Sequence, residues 1–73
     1  MIRIFADFTN CDEDHRVRLD TVGSLEDIKQ YEDVLVEGMV VILYTPDELE
    51  VCATLFFDEI WMGIPDWKTI RYY

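Results

Sequence analysis

The 73 residues suffice for one domain, near the lower size limit for folding without disulfides or bound metal. With 51% apolar residues, 14% aromatics and only three Gly and two Pro, the composition excludes a disordered chain despite its charge. A net charge of −10 places direct nucleic-acid or membrane binding at an electrostatic penalty and favours a basic partner or a metal ion.

The charge is uneven. Residues 1–23 hold three Arg against five acids, residues 24–66 hold Lys29 alone against eleven acids, and residues 67–73 add Lys68 and Arg71. The opening Met1-Ile2-Arg3-Ile4-Phe5-Ala6-Asp7 carries charges where a signal peptide needs an apolar run, and the longest apolar stretch, Met39 to Tyr44, is too short to cross a bilayer. Cys11 and Cys52 sit in different contexts and do not form a disulfide framework, so both read as free thiols and the chain as cytoplasmic.

Period-two alternation dominates. In the first predicted strand Ile2, Ile4, Ala6 and Phe8 share one face, while Arg3, Phe5, Asp7 and Thr9 share the other. After the polar turn Asn10-Cys11-Asp12-Glu13-Asp14, a second strand points Val17, Leu19 and Thr21 inward and Arg16, Arg18 and Asp20 outward. Paired as a hairpin, the two strands would set Asp7 against Arg16 and Arg3 against Asp20 in a charge ladder, with Phe5 beside Arg18.

Ser24 is a good N-cap, and Glu26 and Asp27 suit the positive end of a helix dipole. Leu25 and Ile28 give one apolar stripe, extended by Tyr31 or the stem of Glu32, enough for two turns of helix. Glu37-Gly38 reads as a turn, and Met39 to Tyr44, with no polar face, as the central and most buried strand. Thr45-Pro46-Asp47-Glu48 is turn chemistry. The return strand points Leu49, Val51, Ala53, Leu55 and Phe57 inward and Glu50, Cys52, Thr54 and Phe56 outward. Asp58-Glu59 turns into Ile60 to Ile64. Pro65 ends that strand for want of an N–H donor, so a 3₁₀ turn is expected over Pro65 to Lys68 before a last strand, Thr69 to Tyr73.

Five or six short strands, one short helix and tight turns predict an all-β domain over residues 1–73, a small barrel. The alternative is an α+β arrangement with an antiparallel sheet. A tryptophan-bearing strand, a Pro-containing turn and a terminal strand, preceded by Leu35-Val36-Glu37-Gly38, resemble the close of a Src-homology-3-like barrel over residues 35–73. That class binds proline-rich peptides, proteins or RNA, so the resemblance implies a fold and not a ligand. Tyr44, Trp61, Trp67 and Tyr72 are the residues that would line a peptide groove, although the aromatic-rich opening strand of that type is absent. The chain as a whole is similar to small bacterial proteins that open on Ala6-Asp7-Phe8 and close on Asp66-Trp67, a likeness that implies no function.

Each candidate site has a plainer alternative. Asn10 to His15 gathers a thiol, carboxylates and the sole imidazole, but matches no metal-ligand spacing and reads as a solvated hairpin tip rather than a metal loop. No nucleophile–base pair and no glycine-rich phosphate cradle is present, so neither catalysis nor a cofactor is expected. Arg3, Arg16 and Arg18 with Phe5 form either an RNA-facing patch or the charge ladder above. The acids from Glu26 to Asp66 either imitate a nucleic-acid backbone, inhibiting a basic nucleic-acid-binding protein, or keep an apolar core soluble.

The favoured surface is aromatic. Both faces of the C-terminal hairpin cannot enter one small core, so some of Phe56, Trp61, Trp67, Tyr72 and Tyr73 should be accessible; the plainer reading has Trp61 and Trp67 closing the barrel. The expected function is therefore a small acidic protein-interaction module. Phe56, Trp61, Trp67 and Tyr72 anchor a basic protein or a second copy of the chain, and Asp47, Glu48 and Glu50 supply acidic steering.

Overall fold

Alternation of apolar and polar residues, sustained over short segments, gives every strand one face that must leave water. The computed structural model describes residues 1–73. Its elements are β1 (Arg3–Phe5), β2 (Val17–Arg18), α1 (Val22–Tyr31), β3 (Val40–Thr45), β4 (Leu49–Asp58), β5 (Ile60–Pro65), a 3₁₀ turn at Trp67–Thr69, and β6 (Arg71–Tyr72). The fold is mainly β with one helix, its sheet curled into a half-barrel. The strand order is β1-β3-β4-β5-β2, and β6 lies beside the start of β4.

The concave face holds the core. Ile4 and Ala6, Val17 and Leu19, Val41 and Leu43, and Val51, Ala53 and Leu55 are all buried there, with Ile28 and Leu35 packed among them. Ile2, Phe8, Tyr31, Met39, Trp61 and Ile70 border this cluster.

Four expectations are corrected. First, β1 and β2 do not form a hairpin. β1 runs parallel to β3, with Arg3 opposite Ile42 and Phe5 opposite Tyr44, and β2 pairs antiparallel with β5. A parallel neighbour requires a crossover of a dozen or more residues, which the segment carrying α1 supplies. The charge ladder is therefore absent: Arg3 meets Glu50 at 3.3 Å, Arg16 meets Asp12 and Asp14, and Arg18 meets Asp20. The cation–π neighbours are Arg3 with Tyr44 and Arg16 with Phe56, and Phe5 packs edge-on against Tyr44 instead.

Second, the helix begins earlier and runs longer. Thr21 is the cap, its hydroxyl accepting from the Ser24 N–H at 3.2 Å, and ten residues follow in helical conformation. Ser24 thereby moves inside the first turn and becomes buried, on one face with Ile28 and Tyr31, while Leu25 is 53% exposed.

Third, the central strand is β4, which pairs with β3, β5 and β6. β3 is apolar on both faces, but only Val41 and Leu43 reach the core. Val40, on the convex side, is 50% exposed. Fourth, Phe57 points along the concave face yet is 51% exposed, because β4 extends past the end of the core.

The turns follow their residues. Asp47, Glu59 and His15 adopt left-handed backbone conformations, and the Glu48 N–H closes the turn on the Thr45 carbonyl at 3.1 Å. The 3₁₀ turn lies later than the expected Pro65 to Lys68: Pro65 remains in β5 as its last residue, opposite Ala53, and the turn at Trp67–Thr69 is capped by Asp66, whose side chain accepts from the Lys68 N–H.

Candidate functional site

The four aromatic residues singled out by sequence do not form one patch. Cross-strand partners share a face. Tyr72 lies opposite Leu49, at the start of β4, and Trp61 lies opposite Phe57, near its end. Eight residues of extended strand separate those positions, roughly 26 Å. Phe56 lies on the convex side, half-buried beneath the Arg16 guanidinium, 4.9 Å from its ring centroid.

Exposure separates the two ends further. Trp61 packs against the core and meets Phe57 edge-on, with ring centroids 5.2 Å apart. Trp67 is 49% exposed, with its ring 5.7 Å from that of Phe8, and Tyr72 is 74% exposed. Tyr73, also exposed, donates its hydroxyl to Glu50 and accepts from Arg3 at 3.1 Å.

The three steering acids differ in the same way. Asp47 and Glu48 sit exposed in the β3–β4 turn. Glu50 is engaged by Tyr73 and Arg3, and these contacts, the Tyr73 hydroxyl first, hold its carboxyl below the usual range. Glu50 is therefore a neutralised structural group.

The loop from Asn10 to His15 is organised internally. Asp12 accepts from the N–H groups of Asp14 and Arg16 at 2.9 and 3.0 Å and binds the Arg16 side chain. Burial works to raise the Asp12 pKa, but these bonds outweigh it and hold the carboxyl low. The Cys11 thiol donates to the Phe8 carbonyl and is pushed up by burial, with Asp12 and Asp7 adding to the effect. Cys11 and Cys52 are both free. No cluster of three or more metal-ligating side chains is assembled anywhere in the fold, and no helix is long and apolar enough to cross a membrane.

One concavity was not anticipated from the sequence. A groove of about 470 Å³ opens between the end of β1, the first turn of α1 and the β3–β4 turn. Phe5, Ala6, Phe8, Val22 and Leu49 supply its apolar lining, and Asp7 and Glu48 its carboxylates. Trp67 adjoins it through Phe8 and Tyr72 through Leu49. Asp7 accepts from the Thr9 hydroxyl at 2.7 Å and from the Thr9 N–H at 3.0 Å, contacts that hold it ionised below the usual carboxylate range. Periodicity gives no sign of this groove, because its wall is α1, and α1 stands there only because β1 takes β3 as its neighbour rather than β2. A second, smaller depression of about 200 Å³ lies among Asp12, Arg16, Arg18, Asp58 and Glu59, where charges of both signs already face one another.

Comparison of the chain with protein-family models, with curated proteins and with solved structures finds no match.

Proposed function

We propose that this chain is an acidic protein-interaction module without catalytic activity, which binds a basic protein partner through aromatic side chains that its core does not enclose. The carrying observation is the exposure of Trp67 (49%) and Tyr72 (74%): Tyr72 pairs with the start of β4 next to the acidic Asp47-Glu48 turn, and Trp67 follows β5 beside Cys52 and Ala53. Trp and Tyr are the residues that most often anchor interfaces, and like-signed charge around them steers an oppositely charged partner. A basic protein is favoured over a second copy because two chains of charge −10 repel each other.

A Src-homology-3-like class for the half-barrel is proposed on the same footing, supported by the succession of a Trp-bearing β5, a 3₁₀ turn and a short β6. Nucleic-acid mimicry has less support. It asks for a regular array of free acids, and between Glu26 and Asp66 Glu50 is bound to Arg3, Asp27 to the Phe5 N–H and the Tyr44 hydroxyl, and Glu37 to the Phe57 N–H.

The test is retention of proteins on the immobilised chain, with sedimentation at several concentrations alongside. Retention of basic proteins, reduced by Trp67→Ala or Tyr72→Ala, supports the module. A monomer that retains nothing, or a retained set indifferent to both changes, removes it. Retention that disappears with salt and with neutralisation of Asp47, Glu48 and Glu50, yet ignores the aromatic changes, favours the mimic.

A further inference from the structure

From the groove beside α1 we infer a specific binding site for a segment of a partner protein that presents one basic side chain next to an apolar one. The inference rests on the interaction-module reading and says where, and by what chemistry, the partner is held.

Size comes first. A concavity of about 470 Å³ falls in the range of sites that enclose a small ligand or one or two side chains. Its lining is apolar and contains two rings, Phe5 and Phe8, with Leu49 and Val22. Such a surface gains from covering by an apolar group or by the face of a cation.

Charge decides the occupant. Asp7 and Glu48 line the groove, and no Lys or Arg does. The ion pairs of the fold join Arg3 to Glu50, Arg16 to Asp12 and Asp14, and Arg18 to Asp20, so neither groove carboxylate has a counter-ion within the chain. Asp7 receives both Thr9 hydrogen bonds on Oδ1, which leaves Oδ2 without a partner. Two anionic groups bordering apolar walls, without compensation, suit a basic side chain on an apolar stem. The one feature of opposite sign is the first turn of α1, where Val22 and Gly23 border the groove. Its cap, Thr21, already satisfies the Ser24 N–H.

The test uses two probes with one ring system and opposite charge, tryptamine and indole-3-propionate, titrated into the ¹⁵N-labelled full chain. Tryptamine should shift the amides of Asp7, Phe8, Val22, Gly23 and Glu48. It should bind about fivefold tighter than the acid, the scale of partly exposed ion pairs, and Glu48→Gln should narrow that gap. Equal affinity for the two probes, tighter binding of the acid, or shifts centred on Phe57 and Trp61 overturns the site. Glu48 sits in an exposed turn with no ion pair, so the variant leaves the fold intact. The two readings fail separately. A basic protein retained by the chain, and lost with Trp67→Ala or Tyr72→Ala but unaffected by Glu48→Gln, keeps the module and removes the groove. A groove that selects tryptamine in a chain that retains no protein does the reverse.

Discussion

The hydroxyl of Ser24 donates to the carbonyl oxygen of Phe5 at 2.5 Å, joining the first turn of α1 to the outer edge of β1. One turn further along, Asp27 accepts from the Phe5 N–H at 2.8 Å and from the Tyr44 hydroxyl at 2.8 Å. The edge-facing donor and acceptor of Phe5 are thus both satisfied by helix side chains, where another strand would otherwise pair. Ser24 is wholly buried, and the Thr21 hydroxyl donates to its oxygen at 2.8 Å, which completes the network. The contact between Asp27 and Tyr44 makes the phenol harder to ionise, raising its pKa.

Ser24→Ala leaves the Phe5 carbonyl and the Thr21 hydroxyl without this partner in a buried place. It should cost about 1–3 kcal/mol of stability, the penalty for an unsatisfied buried polar group. Tyr44→Phe removes one neutral donor from a carboxylate that keeps its backbone partner, and should cost about 1 kcal/mol. Urea unfolding measures both through the midpoint at unchanged slope. No loss of stability from Ser24→Ala would mean that the helix does not secure the edge.

A second prediction concerns the floor of the core. Gly63 is buried opposite Leu55, and a Cβ built on it would lie 2.8 Å from Cδ1 of Leu43 and 3.5 Å from Cβ of Ala53. Leu43 is itself fully buried, so its methyl can retreat only into occupied space. Gly63→Ala should destabilise by about 1–3 kcal/mol through overpacking. Combining it with Leu43→Val should cost less than the sum of the two single changes, because the shortened side chain vacates the contested volume. Strict additivity in thermal or urea unfolding would rule out the clash.

The inside–outside pattern of the fold is legible in the sequence, while its neighbour relations are not. Alternation in Ile4-Phe5-Ala6, in Val17-Arg18-Leu19 and along Val51 to Leu55 predicts the buried set found in the core. A period of two states which face a residue takes, and nothing about which strand lies beside it. The expected pairing of β1 with β2 therefore fails although Ile4 and Ala6, and Val17 and Leu19, are buried on the shared faces that alternation gives them; Ile2 and Phe8 border the core, and Thr21, which caps α1, is half-buried. Ser24 misleads for a related reason. Its chemistry marks a helix start, but Thr21, three residues earlier, performs the capping, and Ser24 spends its hydroxyl on Phe5. Counting apolar bulk against core size predicts that some C-terminal rings stay accessible, but not that Trp67, Tyr72 and Tyr73 are the exposed ones. Nor does it predict the groove, which depends on the placement of α1.

Acid should weaken the fold in a narrow window. Asp7 is held below the usual carboxylate range chiefly by the Thr9 hydroxyl, Asp20 chiefly by the Asn10 amide and then Arg18, and Glu50 chiefly by the Tyr73 hydroxyl and then Arg3. With folded pKa values depressed, the unfolded chain binds more protons. The stability these groups contribute is complete above the ordinary carboxylate value, about pH 4, and is lost as pH falls through the lower folded values. The urea midpoint should therefore drop mainly below about pH 4, and the drop should be shallower in Asp20→Asn. A midpoint that falls chiefly between about pH 7 and pH 5 would rule out these three carboxylates as the cause.

The two tryptophans should separate stability from binding. Trp61 packs on the core and against Phe57, so its ring holds the start of β5 in place. Trp67 is half-exposed on a 3₁₀ turn and leans on Phe8 alone among the rings. Trp61→Ala should cost about 2–3 kcal/mol, somewhat less than the truncation of a fully buried Trp, and Trp67→Ala about 1 kcal/mol or less. Retention of a basic partner should then weaken at least about tenfold in Trp67→Ala, the scale of an interface anchor, in a protein whose melting temperature has barely moved. Trp61→Ala, measured well below its own melting temperature, should retain the partner. The reverse assignment, with Trp61 controlling retention and Trp67 without effect, would move the docking surface to the Phe57 end of the hairpin, where the Trp61 ring lies.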